Sequence, residues 1–409
     1  MKTMKNRWVL VLIAFLVFAI TLAGGFTLLW RFMIFVAVVL GLSYLWSRLS
    51  IRNLESRINE IPALCRVGDR FVESATITNR RNIPTPLLEI SEDTSLPYFR
   101  NGVSVSLPSK GYYNWQTEVH CRRRGRYGLG TFTVKTTDPL GIFSLKRHIG
   151  ERQEFLVYPS IHDLPFFELS PQQEFGTGSR RWLTRESSPN ASRVREYISG
   201  DNLRHIHWLS TAHTGNLMVR EYDPDRSRTG FSEMWLVPDM YRGSQLGENE
   251  ETTEEYSISI AASLASKYLD EGKKVGMIAA GNKSYLLTPE AGEDQLQYIL
   301  RSLSLLEAKG EVTIDSLLSS RAEHFQPDSI VVIIMPSLNP SIAASLRSLV
   351  DRRVKVITIL LDSFSFGAVQ SSTNSPRTLS FGSSSVYTVR QGMEITRALD
   401  SRLATTRIQ

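Results

Sequence analysis

The first forty-six residues constrain this chain most, because residues 8–46 are almost wholly apolar. About 20 such residues suffice for one helix to cross the hydrocarbon core, so this stretch is long enough for two. Gly24-Gly25, followed by Thr27, marks a tight turn between antiparallel helices. The expected spans are 8–24 and 28–46, inside an anchoring region 1–54. The first span is short and calls for local bilayer thinning or snorkelling. Arg31 then lies near the outer boundary, and Trp8, Trp30 and Trp46 fall at interface depths. Lys2, Lys5 and Arg7 precede the apolar run, and Arg48, Arg52 and Arg57 follow it. Basic residues at both ends place both ends in the cytoplasm. A cleaved signal peptide fits poorly, since the apolar run continues past any cleavage site.

A chain of 409 residues leaves room for two or three further cores after such an anchor. The formal charge of +6 is modest for this length, and part of it flanks the apolar run. No nucleic-acid-binding motif accompanies it, so no nucleic-acid partner is expected. Two cysteines, Cys65 and Cys121, are too few for a disulfide framework and read as reduced thiols.

Residues 55–162 read as a β-sandwich-like domain. Short β-branched and aromatic runs recur at 71–78, 87–90, 103–107, 111–120, 130–136 and 155–158, separated by turn residues such as Val67-Gly68-Asp69 and Asp138-Pro139. The arginines of 121–130 are expected to form a charged, solvated turn between strands; an anionic-partner site is the alternative.

Residues 163–230 mix charge and aromatics densely. Arg195, Glu196, Tyr197, Asp201, Arg204, Trp208, Arg220 and Glu221 are the candidate partner-binding or structural residues. Arg and carboxylate side chains alternating in this way form planar bidentate bridges. The network either holds two domains in register or presents a partner site, because buried charge is costly.

Residues 231–409 read as an α/β domain. Strands are expected at 231–237, 274–280, 284–287, 329–335, 354–362 and 386–390. Helices are expected at 254–271, 293–308, 314–325, 341–351 and 393–399. Such alternation implies a parallel sheet covered by helices. The Ser-, Thr- and Gly-rich stretch 363–385 is expected to be a flexible excursion.

A resemblance now emerges from particular residues. Arg195-Glu196-Tyr197, Gly200-Asp201, Arg204, Ile206, Trp208, Ala212, Gly215, Leu217 and Arg220-Glu221-Tyr222 are similar to the central motif of the bacterial "domain of unknown function 58" membrane proteins. Arg123-Arg124-Gly125, Tyr127, Leu129-Gly130 and 138–143 resemble the segment that usually precedes it. The chain departs from the pattern at Ser199, where a proline is usual, at His207, where an acid is usual, and at Thr211-Ala212-His213, where Ser-Ala-Arg is usual.

The resemblance implies a von Willebrand factor A-like fold for 231–409. It also implies a multi-pass protein of the cell inner membrane with most of its chain cytoplasmic. A von Willebrand A domain usually holds a divalent ion on an Asp-x-Ser-x-Ser loop, at the carboxyl ends of the strands. Here the loop is Asp239-Met240-Tyr241-Arg242-Gly243-Ser244, and Asp239 alone matches. Magnesium at Asp239 is the one cofactor the resemblance leaves open. The expectation is a degenerate site, with Asp239 capping the loop or paired with Arg242, and no cofactor.

Enzymatic chemistry finds little footing in the residues. On a strand, His205 and His207 would share a face, with His213 nearby, but no fourth ligand is suggestively spaced. No phosphate-binding glycine loop, nucleophile elbow or triad spacing occurs, and no catalytic residue is assigned. The resemblance implies a membrane-anchored interaction or assembly protein, with membrane lipid around its anchor. Its partners would be a MoxR-class AAA+ ATPase and other von Willebrand A proteins, in envelope or complex maturation. The alternative is a metal-dependent or hydrolytic enzyme at the cytoplasmic membrane surface.

Overall fold

A computed structural model describes residues 27–167, 191–197, 206–222, 231–368 and 385–401, together with Phe15 and Ala19, apart from Ala63, Arg100, Pro139, Ser232, Leu338 and Asn339. The chain divides into two units, Met1–Tyr158 and Pro159–Gln409. The expected span 8–24 lies outside the described residues, except for Phe15 and Ala19, which are helical.

In the first unit, α1 (Thr27–Ile51) is long and apolar enough to cross a membrane over Trp30–Ile51. It exposes Trp30, Phe32, Phe35, Val38 and Leu42, whereas Ser43, Ser47, Ser50 and Ile51 are buried. Those four recur at helical spacing and form one stripe. Their small side chains let strands come close to the last two turns of the helix.

Ten strands follow: β1 (Leu54–Ile58), β2 (Cys65–Arg66), β3 (Arg70–Asn79), β4 (Thr85–Glu92), β5 (Gly102–Leu107), β6 (Tyr112–His120), β7 (Gly125–Leu129), β8 (Phe132–Thr137), β9 (Ser144–Ile149) and β10 (Gln153–Tyr158). They form three sheets, in the orders β1-β3-β6, β2-β10-β7 and β5-β4-β8-β9. All pairings are antiparallel except that of β2 with β10. Strict alternation in β3 turns Glu73, Ala75, Ile77 and Asn79 inward. Ala75 and Ile77 meet Leu88, Ile90, Phe132 and Val134 in one core, so the first and third sheets pack inner face to inner face. A second cluster gathers Cys65, Val119, Cys121, Leu129, Phe155 and Val157. Gly130 and Gly150 mark a close crossing: a Cβ on Gly150, at φ +91°, would lie 2.1 Å from the Gly130 carbonyl.

The second unit begins with residues 159–167 laid against a helix, and then a hairpin of β11 (Ala191–Glu196) and β12 (Met218–Tyr222), with α2 (Trp208–Thr214) between them. The remaining elements are β13 (Glu233–Pro238), β14 (Gly247–Glu248), β15 (Glu251–Thr252), α3 (Thr253–Asp270), β16 (Lys274–Ala280), β17 (Ser284–Glu290), α4 (Glu293–Leu305), α5 (Ile314–Ser320), β18 (Ile330–Met335), α6 (Pro340–Asp351), β19 (Lys355–Leu361), β20 (Ser385–Val389) and α7 (Ile395–Ala398). The main sheet has the order β17-β16-β13-β18-β19-β20 and is parallel except for the antiparallel edge strand β17. β17 follows β16 after a three-residue turn, which is too short for the crossover a parallel neighbour needs.

Trp235, Val237, Val331 and Ile333 pack against Leu318 of α5 and Leu346 of α6 on one face. α3 covers the other face. Thr252 starts α3 by accepting the Glu255 amide at 3.2 Å, and Glu254 and Glu255 suit the positive helix end. Lys267 of α3 donates to the carbonyls of Leu164 (2.7 Å) and Phe167 (2.6 Å), which fixes the entry segment. The helix expected at 314–325 stops at Ser320 and continues as a 3₁₀ turn, Ala322–His324, that delivers Phe325 into the core.

Candidate functional site

The central motif folds on the β11–β12 ladder. Its register sets Arg193 opposite Glu221, Val194 opposite Arg220, Arg195 opposite Val219 and Glu196 opposite Met218. The Tyr197 amide extends the hairpin to the Leu217 carbonyl at 2.8 Å. Asn216 donates its side-chain amide to Glu196 Oε1 at 3.3 Å, at the end where the two strands are connected. Asp201 and Arg204, the middle of the expected charge network, lie outside the described residues, as does His205.

His207 is on no strand: it caps α2, with Nδ1 2.7 Å from Ser210 Oγ and accepting the Ser210 amide at 3.3 Å. Its side chain is spent on the helix start, and no group of three metal-ligating side chains occurs among the described residues. α2 buries none of its seven residues and ends at Gly215, φ +74°. Trp208 and Leu209 are 69% and 71% exposed, and neighbouring Leu217 is 43% exposed. Trp208 is therefore no core residue, contrary to what its aromatic bulk suggests in isolation.

Asp239 stands at the carboxyl end of β13 and is 5% exposed. Oδ1 accepts the Tyr241 amide at 3.0 Å and Oδ2 accepts the Ser244 hydroxyl at 2.9 Å. Gln245 Nε2 donates to the Asp239 carbonyl at 2.8 Å, and Gln245 Oε1 accepts from Thr253 Oγ1 at 2.8 Å. The Tyr241 ring lies over Gly243, where a Cβ would come within 2.5 Å of it. Burial raises the Asp239 carboxyl above its ordinary range, against the lowering effect of the Tyr241 and Ser244 hydrogen bonds. Arg242 turns away to Glu311, at 3.8 Å. Asp239 thus caps its own loop, and its partner is Ser244 rather than Arg242. Ser244 and Gln245 escaped the sequence reading because neither occupies a metal-ligand position; the short Asp-to-Ser spacing was the available signal.

Two clusters in the first unit were also missed. Glu73 is 2% exposed and faces Glu92, which accepts the Gly130 amide at 2.8 Å. Burial, with the neighbouring Glu92 charge adding to it, pushes Glu73 up to about 8. Two acceptor-only carboxylates cannot bond each other, so one carries a proton at neutral pH. The alternation of β3, with its glutamate on the inward face, was the legible sign. Cys65 and Cys121 are both free and buried beside one another, and burial pushes Cys121 up to about 12.

Residues 193–363 match the family described as protein of unknown function DUF58. The match covers a segment of the chain. That segment runs from β11 through β19 and includes both the exposed α2 and the Asp239 loop. The uncharacterized protein YeaD of Bacillus subtilis (strain 168) is 24% identical over 313 residues, covering 73% of this chain and 74% of YeaD. Among solved structures, proximal thread matrix protein 1 from the mussel byssus is similar at 15% identity and a TM-score of 0.29, over 42% of this chain and 47% of that one. The CARDB domain of the PF1109 protein from Pyrococcus furiosus is similar at 14% identity and a TM-score of 0.19, over 24% and 86% respectively.

Proposed function

We propose that the chain is a membrane-anchored interaction or assembly protein working with a MoxR-class AAA+ ATPase, and with other von Willebrand A proteins, in envelope or complex maturation. The observation that carries this reading is the exposure of Trp208 and Leu209, at 69% and 71%, on a helix none of whose residues is buried. Exposed tryptophan is the residue type most enriched at protein contact centres. Arg195, Glu196, Tyr197, Asp201, Arg204, Arg220 and Glu221, the neighbouring motif residues in the sequence, give the contact its charge in this reading.

The finer architecture of the proposal is a pair of spans, 8–24 and 28–46, in the cell inner membrane with both ends cytoplasmic. A β-sandwich follows, and then a degenerate von Willebrand A-like domain. The parallel sheet with Asp239 at the end of β13 supports the last of these. A metal-dependent enzyme that used Asp239 would have to hold its ion on lone pairs that the Tyr241 amide and the Ser244 hydroxyl leave open.

Crosslinking in native membranes followed by purification tests the reading. A MoxR-class ATPase should be recovered with the wild-type chain and lost with Trp208→Ala and Leu209→Ala together, at an unchanged melting temperature. Equal recovery with both proteins rejects α2 as the contact, and absence of the ATPase from both rejects the partner. For topology, a reporter fused after Arg57 that is active only in the periplasm would overturn the cytoplasmic placement.

A further inference from the structure

The β8–β9 hairpin runs alongside the end of α1, and its turn points back along the helix. Arg147 Nη1 donates to the Ile51 carbonyl at 3.0 Å and to the Arg52 carbonyl. At the other end, Ser43 Oγ donates to Asp138 Oδ2 at 2.5 Å, and the Tyr44 and Phe143 rings meet edge to face at 5.6 Å. The two anchor points on the helix, residues 43 and 51, are about 12 Å apart along its axis. The four residue-to-residue steps from Phe143 to Arg147 cover about 13 Å of strand. The lengths agree, so the turn sits level with Ser43 and Tyr44.

A membrane span counted from Thr27 uses its ~20 residues at Trp46. Ser43 is three residues short of that limit, about 4.5 Å of helix rise. On the same turns Leu45 and Trp46 are 49% and 41% exposed, and Tyr44, although it meets Phe143, is still 42% exposed. A helix embedded to Trp46 therefore carries the hairpin turn into the lipid boundary with it.

The turn is chemically suited to that place. Asp138 is buried and accepts the Leu140 amide at 3.2 Å and the Phe143 amide at 2.6 Å, while its own amide donates to the Phe143 carbonyl at 3.0 Å and its carbonyl accepts from Gly141 at 2.9 Å. These bonds satisfy four amides and two carbonyls of the turn internally, which lowers the cost of a low-dielectric boundary. Among the described residues of the turn, Leu140 is 52% exposed, with the exposed Gly141 beside it.

We propose that the turn bearing Leu140 inserts into the headgroup–acyl boundary of the bilayer that α1 crosses, as a second, non-helical membrane contact that fixes the tilt of the first unit on the lipid surface. This rests on the reading of α1 as a membrane span. The test uses the full chain in phosphatidylcholine–phosphatidylglycerol bilayers, with single spin labels at Leu140→Cys, Ile142→Cys, Val38→Cys and Glu151→Cys. The native thiols, Cys65 and Cys121, are 2% and 1% exposed, and unmutated protein carried through labelling gives their background. Oxygen and a water-soluble nickel chelate report depth. The expected result is Val38 deep, Leu140 and Ile142 at the boundary with oxygen favoured several-fold over their ratio at Glu151, and Glu151 aqueous. Val38 deep with Leu140 and Ile142 as wet as Glu151 overturns the proposal and leaves the span standing. Val38 as wet as Glu151 removes the span and the proposal together.

Discussion

Glu73 on β3 and Asp239 after β13 are both shut away from water, at 2% and 5% exposure, but their units hold them differently. Asp239 has a donor on each oxygen, from Tyr241 and Ser244. Glu73 faces another carboxyl, and none of its oxygens finds a donor in the surrounding backbone. The α/β unit spends a loop to satisfy one charge, while the β-rich unit keeps a proton where a donor is missing. Burial sets the direction of both shifts, and the supply of donors sets how far each goes.

The largest expected effects test what the two units share, which is dense apolar packing. Phe132 is fully buried between the first and third sheets of the first unit, and Trp235 is 2% exposed in the second. Phe132→Ala and Trp235→Ala should each cost about 3–5 kcal/mol in denaturant unfolding. A cost below about 1 kcal/mol at either position would show that its core is looser than these burials indicate.

Next in size is the pH response of the first unit. The Glu73 carboxyl titrates near 4.5 when unfolded and near about 8 when folded, so between those values the folded state binds the extra proton. Stability is full below the lower value and is lost as pH rises through the upper one. Asp239, also raised, contributes in the same direction. Glu73→Gln keeps a hydrogen donor for Glu92 without titrating. It should flatten the decline in melting temperature between pH 5 and 9, and melt above the wild type at pH 9. A wild-type profile that rises across this range would reverse the assignment of the shared proton.

Asp239→Ala strips acceptors from one amide and one hydroxyl, at an expected cost of about 1–3 kcal/mol. Magnesium should leave the melting temperature of the wild type and of the variant unchanged. Magnesium-dependent stabilisation seen in the wild type alone would mean that Ser244 yields its place to the ion.

The smallest expected effect is at Trp208. Its side chain is 69% exposed, so Trp208→Ala should change stability by no more than about 0.5 kcal/mol. A loss like that of Trp235→Ala would show that Trp208 is covered within the folded chain rather than presented to a partner.

Much of the α/β unit was legible in the sequence. The run Lys274–Ala280 has the bounds read for it, and Ile330–Met335 and Lys355–Leu361 fall within one or two residues of theirs. Fully buried strands announce themselves as unbroken apolar runs, and helices between them by periodicity. In the first unit the six strands read from the sequence are present, but β1, β2, β7 and β9 were missed. β9, Ser-Leu-Lys-Arg-His-Ile, is mostly exposed at a sheet edge, so its composition gives no apolar signal. The candidate site was half legible. The motif residues stood out, but the cap role of His207, the exposure of Trp208 and the Asp239–Ser244 bond depend on chain direction, which composition does not carry.

The sequence by itself determined the apolar start, the β-rich stretch, the alternating α/β stretch and the loss of hydroxyl ligands beside Asp239. Each is a local property of residue type and spacing. Only the tertiary structure decided that Glu73 meets Glu92, that Cys65 meets Cys121, and that the turn at Asp138 comes to rest against Ser43. Those pairs are separated by nineteen, fifty-six and ninety-five residues along the chain. Contacts across such distances are set by which sheets pack and in what register, and no window of sequence contains both partners.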